Sequence, residues 1–120
     1  MVIAIDFDGT ITDKNIFPQI GEPKEYAVEA IHNIQKAGHQ IVLWTCREGY
    51  SLEEAKKWLQ ENGIIISFYN FSPYQLQSRK IVADVYIDDK NVFMVDDVDW
   101  HKIEKYILSL ADSCTKIVKE

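Results

Sequence analysis

Val2-Ile3-Ala4-Ile5-Asp6-Phe7-Asp8-Gly9-Thr10 is an apolar run that ends abruptly in two carboxylates, a glycine and a hydroxyl. A short apolar run bounded by glycine reads as a buried strand. Two negative charges at the end of a buried strand are costly to desolvate unless a cation or a reaction uses them. The stretch therefore predicts a strand of a central sheet whose carboxyl end carries phosphoryl-transfer chemistry at a metal.

Working outward, residues 11–23 contain Pro18, Gly21 and Pro23, which mark a loop able to fold over that strand end. Tyr26, Ala27, Ala30, Ile31 and Ile34 recur at helical spacing within 24–37 and stop at Gly38, and Gln40–Trp44 is a second apolar strand. Ser51 with Glu54 reads as a capping box for a helix through Leu52, Ala55, Trp58 and Leu59 that ends at Asn62-Gly63. Ile64–Phe68 and Val82–Ile87 are predicted as the third and fourth strands, separated by a polar, aromatic loop over 69–80. Val92–Val95 is a short fifth strand, followed by the acidic turn Asp96, Asp97, Asp99 and a closing helix over about 100–118 with Trp100, Ile103, Ile107 and Leu110 on its apolar stripe.

Strands alternating with helices predict a three-layer, Rossmann-like α/β fold: a mainly parallel sheet flanked by helices on both faces, with ligands bound outside the carboxyl ends of the strands. At 120 residues the chain is expected to be one domain, with its core in 1–95. Three strand ends carry reactive residues: Asp6 to Thr10, Thr45 to Arg47, and Asp88-Asp89.

These ends, in this order, resemble the haloacid dehalogenase (HAD) superfamily of phosphohydrolases. Asp6-Phe7-Asp8-Gly9-Thr10 matches its first motif and Thr45, at the end of an apolar strand, its second. Lys80 matches the lysine of the third, and Asp88-Asp89 the acidic pair of the fourth. Trp44-Thr45-Cys46-Arg47-Glu48-Gly49 and the run from Ser78-Arg79-Lys80 to Asp88-Asp89 are closest in style to the small capless members. Neither 11–23 nor 69–79 is long enough for a cap domain with its own core.

The resemblance implies a Mg²⁺-dependent phosphomonoesterase. Asp6, the main-chain carbonyl of Asp8, and Asp88 would hold the ion, which needs few protein oxygens because it keeps several waters. Asp89 would sit beside them, orienting a water or Lys80. Asp6 would attack phosphorus to give an aspartyl-phosphate, and Asp8 would protonate the leaving oxygen and then activate water. Gly9, Thr10, Thr45 and Cys46 would lie around the phosphoryl oxygens, and Lys80 would offset the charge of Asp6. Dehalogenases of the superfamily lack an acid at the position of Asp8, so its presence favours an oxygen leaving group. Arg47 has two readings: a surface pair with Glu48 or Glu53, or bidentate contact with phosphate.

Composition narrows the classes. Hydrophobic residues make up 47% and charged residues 27%, as in an ordinary globular chain. Thirteen basic against nineteen acidic residues leave a net charge of −6, which disfavours nucleic acid as a partner without excluding it. No stretch approaches the roughly 20 apolar residues that span a bilayer, and no basic leader precedes Val2, so no membrane partner and a cytoplasmic location are expected. Cys46 and Cys114 lack metal-ligand spacing and read as free thiols, while His32, His39 and His101 are scattered. Phe68, Tyr69, Phe71 and Tyr74 read first as packing or oligomer contacts and second as a stacking surface.

An open site admits a bulky phosphorylated end, or a small molecule enclosed by a neighbouring copy in a homo-oligomer. A competing reading is a catalytically silent module that binds Mg²⁺ or phosphate without turnover. A receiver domain is disfavoured because the third strand ends in Asn70 with no Asp at hand.

Overall fold

The computed structural model of the chain describes residues 1–74, 79–95 and 97–118. Its sheet has four strands, β1 (Val2–Ile5), β2 (Gln40–Leu43), β3 (Phe68–Tyr69) and β4 (Val85–Ile87), in the order β3-β2-β1-β4 with every pairing parallel. Ile3 and Ile5 of the central β1 stand opposite Ile41 and Leu43 of β2 and Val85 and Ile87 of β4. All four β1 residues are buried, which is why that strand reads as a continuous apolar run.

Three helices complete the fold: α1 (Ala27–Lys36), α2 (Gly49–Glu61) and α3 (Trp100–Val118). The chain steps one way across the sheet from β1 to β2 to β3, so crossovers of a common hand put α1 and α2 on one face. There Ile3, Ile5 and Leu43 pack with Ile31, Ile34 and Leu59, and α3 adds Trp100, Ile103 and Ile107 to the same core. The return from β3 to β4 crosses the other face, where Val2, Ala4 and Val42 are covered by Trp44, Ile81, Ala83 and Tyr86. Among the described residues no helix lies on that side, so side chains and irregular backbone serve as the outer layer.

Some boundaries differ from the sequence reading, each for a local reason. Ile64 and Ile66 are buried in irregular chain, and only Phe68 and Tyr69 find ladder partners, opposite Val42 and Leu43. The fourth strand starts at Val85 because the Asp84 carboxylate accepts the Val2 N–H at 2.7 Å. The helix after β2 starts at Gly49, with Glu48 as its cap and Ser51 inside the first turn: Ser51 Oγ donates to Glu48 O at 2.8 Å. The expected fifth strand over Val92–Val95 is instead a turn in which Phe93 takes φ 73° and Val92, Phe93 and Val95 are exposed. A four-residue apolar run looks alike in a strand and in a turn, and among the described residues no strand pairs with it. Asp96, Ser78 and the rest of 75–78 lie outside the described residues, as does the Cys114 side chain. No helix among the described residues is long and apolar enough to cross a membrane.

Candidate active site

Immediately after β1 the chain tightens into a turn in which the N–H groups of Thr10, Ile11 and Thr12 all converge on Phe7 O, at 3.3, 3.0 and 3.2 Å. The turn needs Gly9 twice over. Its φ is +82°, and a Cβ there would stand 2.7 Å from Asp89 Oδ2. The missing side chain at residue 9 leaves room for the Asp89 carboxylate where it stands.

Thr10 is fully buried and joins the two ends. Its hydroxyl lies 3.1 Å from Asp6 Oδ2 and 3.5 Å from Asp89 Oδ1, and accepts the Asp89 N–H at 3.0 Å. The Trp100 indole N–H donates to Thr10 O at 2.8 Å, so α3 braces the same turn. Thr10 thus supports the carboxylates and is absent from the cavity wall, where the sequence reading puts it against substrate.

Asp6, Asp88 and Asp89 bring carboxylate oxygens within 4.8 Å of one another. Burial, with the charge of Asp88 second, pushes Asp6 up to about 7. Asp88 is also raised, by burial and by its hydrogen bond to Asp89. For Asp89 burial pulls upward as well, but hydrogen bonds from Lys90 and Asp88 hold it below the ordinary value. The nearest cation is the exposed Lys90, whose Nζ is 2.9 Å from Asp89 Oδ2. Three crowded carboxylates with hard oxygen donors and no sulfur or imidazole fit a divalent cation such as Mg²⁺.

Asp8 is not in that cluster. Its two oxygens accept from Arg47 Nε at 2.7 Å and Nη2 at 2.8 Å, a bidentate pair in which Arg47 is 1% exposed. The remaining guanidinium hydrogens go to the carbonyls of Pro18, Gln19 and Ser51, so all five donors are used. Phe7 and Phe17 lie over the guanidinium at 5.4 and 5.0 Å. Neither reading of Arg47 from sequence holds in this geometry: Glu48 and Glu53 are not its partners, and the fork is turned inward. The partner is 39 residues away in the chain, which no local pattern reveals.

A cavity of about 460 Å³ opens at the strand ends beside Asp6, Asp88, Thr45 and Cys46. Thr45 is positioned by its N–H, which donates to Asn70 Oδ1 at 2.8 Å, and its hydroxyl accepts the Arg47 N–H at 3.1 Å. Asn70 takes φ 55°, a conformation asparagine tolerates better than most residues. It was missed from sequence, and asparagine directly after a strand was the available signal. Of the neighbouring cations Arg79, not Lys80, lines the cavity, together with Trp44 and Ile81. Lys80 is exposed and its Nζ sits 5.0 Å over the Tyr86 ring.

Comparison with known proteins agrees with this arrangement. A sequence model of the family described as haloacid dehalogenase-like hydrolase matches residues 3–116. The chain belongs to the haloacid dehalogenase-like hydrolases. A solved structure described as that of a conserved protein from Bacteroides thetaiotaomicron is 40% identical in sequence, with a TM-score of 0.81 over 91% of this chain and 90% of that one. No curated protein matches at a significant level. As a member of this hydrolase family the chain has no cap domain among its described residues. Residues 11–24 form a compact loop closed by the Thr12–Pro23 bridge and the Lys24 N–H to Ile11 O bond at 2.8 Å.

Proposed function

We propose that the chain is a Mg²⁺-dependent phosphomonoesterase that works through an aspartyl-phosphate on Asp6. The observation that supports this most is the convergence of Asp6, Asp88 and Asp89 beside a cavity that also holds Thr45. Asp6, Asp88 and Asp89 would hold the ion, which when bound supplies positive charge against the carboxylates and the phosphoryl group.

Asp6 attacks phosphorus, the bond to the ester oxygen breaks, and that oxygen takes a proton. The Thr45 hydroxyl, and the Asp8 N–H that has no acceptor among the described residues, hold phosphoryl oxygens. Arg79 adds positive charge from the cavity wall. Asp8 supplies the proton and later takes one from the attacking water, which requires its side chain to leave Arg47 and turn into the cavity.

The locked Asp8–Arg47 pair favours one alternative, a module that binds metal and phosphate without turnover. Hydrolysis of 4-nitrophenyl phosphate separates the two. Turnover that needs Mg²⁺, stops on chelation and is lost in Asp6→Asn supports the enzyme. Binding of beryllofluoride with Mg²⁺ but no hydrolysis across a panel of phosphate esters supports the silent module.

A further inference from the structure

We infer that the cavity beside Asp6 selects small phosphomonoesters whose leaving group carries a flat, unsaturated ring, and that Trp44 and Ile81 are the residues that set this preference. The inference rests on the phosphatase reading and names its substrate class.

One continuous space of about 460 Å³ is lined by Asp6 and, among its apolar groups, by Trp44 and Ile81. That volume lies in the range of small-molecule sites, roughly 300–1,000 Å³. A phosphomonoester with its phosphoryl group at Asp6 thus has Trp44 and Ile81 within the same cavity as contacts for its leaving portion.

The wall is rigid. The Trp44 N–H is bound to Ile5 O at 2.8 Å, and the next residue, Thr45, is fixed to Asn70. The indole meets Tyr86 edge to face, with centroids 5.5 Å apart and planes at 65°. The Tyr86 hydroxyl donates to Ile81 O at 2.5 Å and accepts the Ala83 N–H at 3.2 Å. Trp44, Tyr86 and Ile81 thus form one braced unit, and a half-buried indole held this way offers aromatic contact at little ordering cost.

Trp44 and Ile81 give the cavity an apolar portion beside its polar lining of Asp6, Thr45, Asn70, Arg79 and Asp88, and a flat ring set on that portion leaves the polar groups to the phosphoryl end. Arg79 at the same wall makes no ion pair among the described residues and keeps the site attractive to anions.

The experiment compares kcat/KM for benzyl phosphate and cyclohexylmethyl phosphate with Mg²⁺. Their alcohols have similar basicity and size but differ in flatness. The wild type is expected to favour the benzyl ester about fivefold, the scale of one aromatic contact, with the ratio falling to near one in Trp44→Ala and largely restored in Trp44→Phe. Ile81→Ala, which should also shrink the ratio, serves if Trp44→Ala fails to fold. Equal kcat/KM for the two esters in the wild type, or a ratio unchanged in both alanine variants, overturns the inference while leaving the phosphatase standing. Should neither ester be hydrolysed, 4-nitrophenyl phosphate and the wider ester panel decide the phosphatase reading. Calorimetry with benzylphosphonate and cyclohexylmethylphosphonate then judges the subsite alone: tighter benzyl binding supports it, and equal binding overturns it.

Discussion

Arg47 and Asp8 form a bidentate, nearly solvent-free ion pair, with contacts of 2.7 and 2.8 Å, that ties the end of β2 to the turn after β1. The same guanidinium holds the carbonyls of Pro18 and Gln19, so the 11–24 loop and the candidate acid–base group share one anchor. In this arrangement Arg47 holds the Asp8 carboxylate out of the cavity.

Removing one partner strands a buried charge. Arg47→Met is expected to lower unfolding free energy by about 3–5 kcal/mol in urea titrations, as for broken buried pairs. Arg47→Lys keeps the charge but not the fork, so it should fold while loosening the hold on Asp8, with any change in turnover falling on kcat more than on KM. A double-mutant cycle of Arg47→Met with Asp8→Asn should give a coupling of at least about 1 kcal/mol. Additive effects would show that the pair is incidental.

At Gly9 two costs coincide, a positive φ and a close approach to Asp89. Gly9→Ala is expected to destabilise by about 1–2 kcal/mol from the left-handed backbone alone. It should also displace the Asp89 carboxylate and weaken Mg²⁺ binding at least about tenfold, as loss of a supporting group at a metal site does. Unchanged metal affinity would mean that Asp89 is not held where the structure has it.

Proton linkage gives a third expectation. Asp6 is raised from 3.8 to about 7 in the folded, metal-free chain, so the folded state binds its proton more tightly than the unfolded state. Its contribution favours folding at low pH and is lost as pH rises from about 4 to about 7. Thermal melts without metal should show this decline superimposed on other titrations, and Asp6→Asn should flatten it. Saturating Mg²⁺ should remove it too, because a cation stabilises the ionised carboxylates. A metal-free wild type with the same pH profile as Asp6→Asn would contradict the upward shift of Asp6 that its burial, and then the charge of Asp88, produces.

Arg79 and Lys80 are adjacent in sequence but face different surroundings, one on the cavity and one over Tyr86. Arg79→Met is expected to lower kcat/KM several-fold, as for loss of an exposed cation that lines the cavity. Lys80→Met should cost less than about threefold, the scale of a single exposed cation–π contact. The reverse order of effects would restore Lys80 to the role that its place in the sequence suggests.

What could be read from the sequence was local or periodic. The β1 run, the glycine after the acids and the apolar stripes of α1 and α3 each follow from neighbours within a few residues. The acid doublet Asp88-Asp89 was legible because it also ends a strand. What could not be read depends on distant chain segments meeting. Arg47 finds Asp8 across 39 residues, Asn70 reaches Thr45 across 25, and Arg79 rather than Lys80 faces the cavity because of backbone direction in a stretch without regular structure. Phe93 misled for a simpler reason, since an exposed aromatic in a turn carries the same letters as a buried one in a strand.

Calorimetric titration of the metal-free chain with Mg²⁺, set beside Asp88→Asn, bears most directly on the shared cation site. The account predicts one ion per chain, bound by the wild type and weakened at least about tenfold when a single carboxylate is removed. No binding to the wild type, or equal binding by Asp88→Asn, would contradict it.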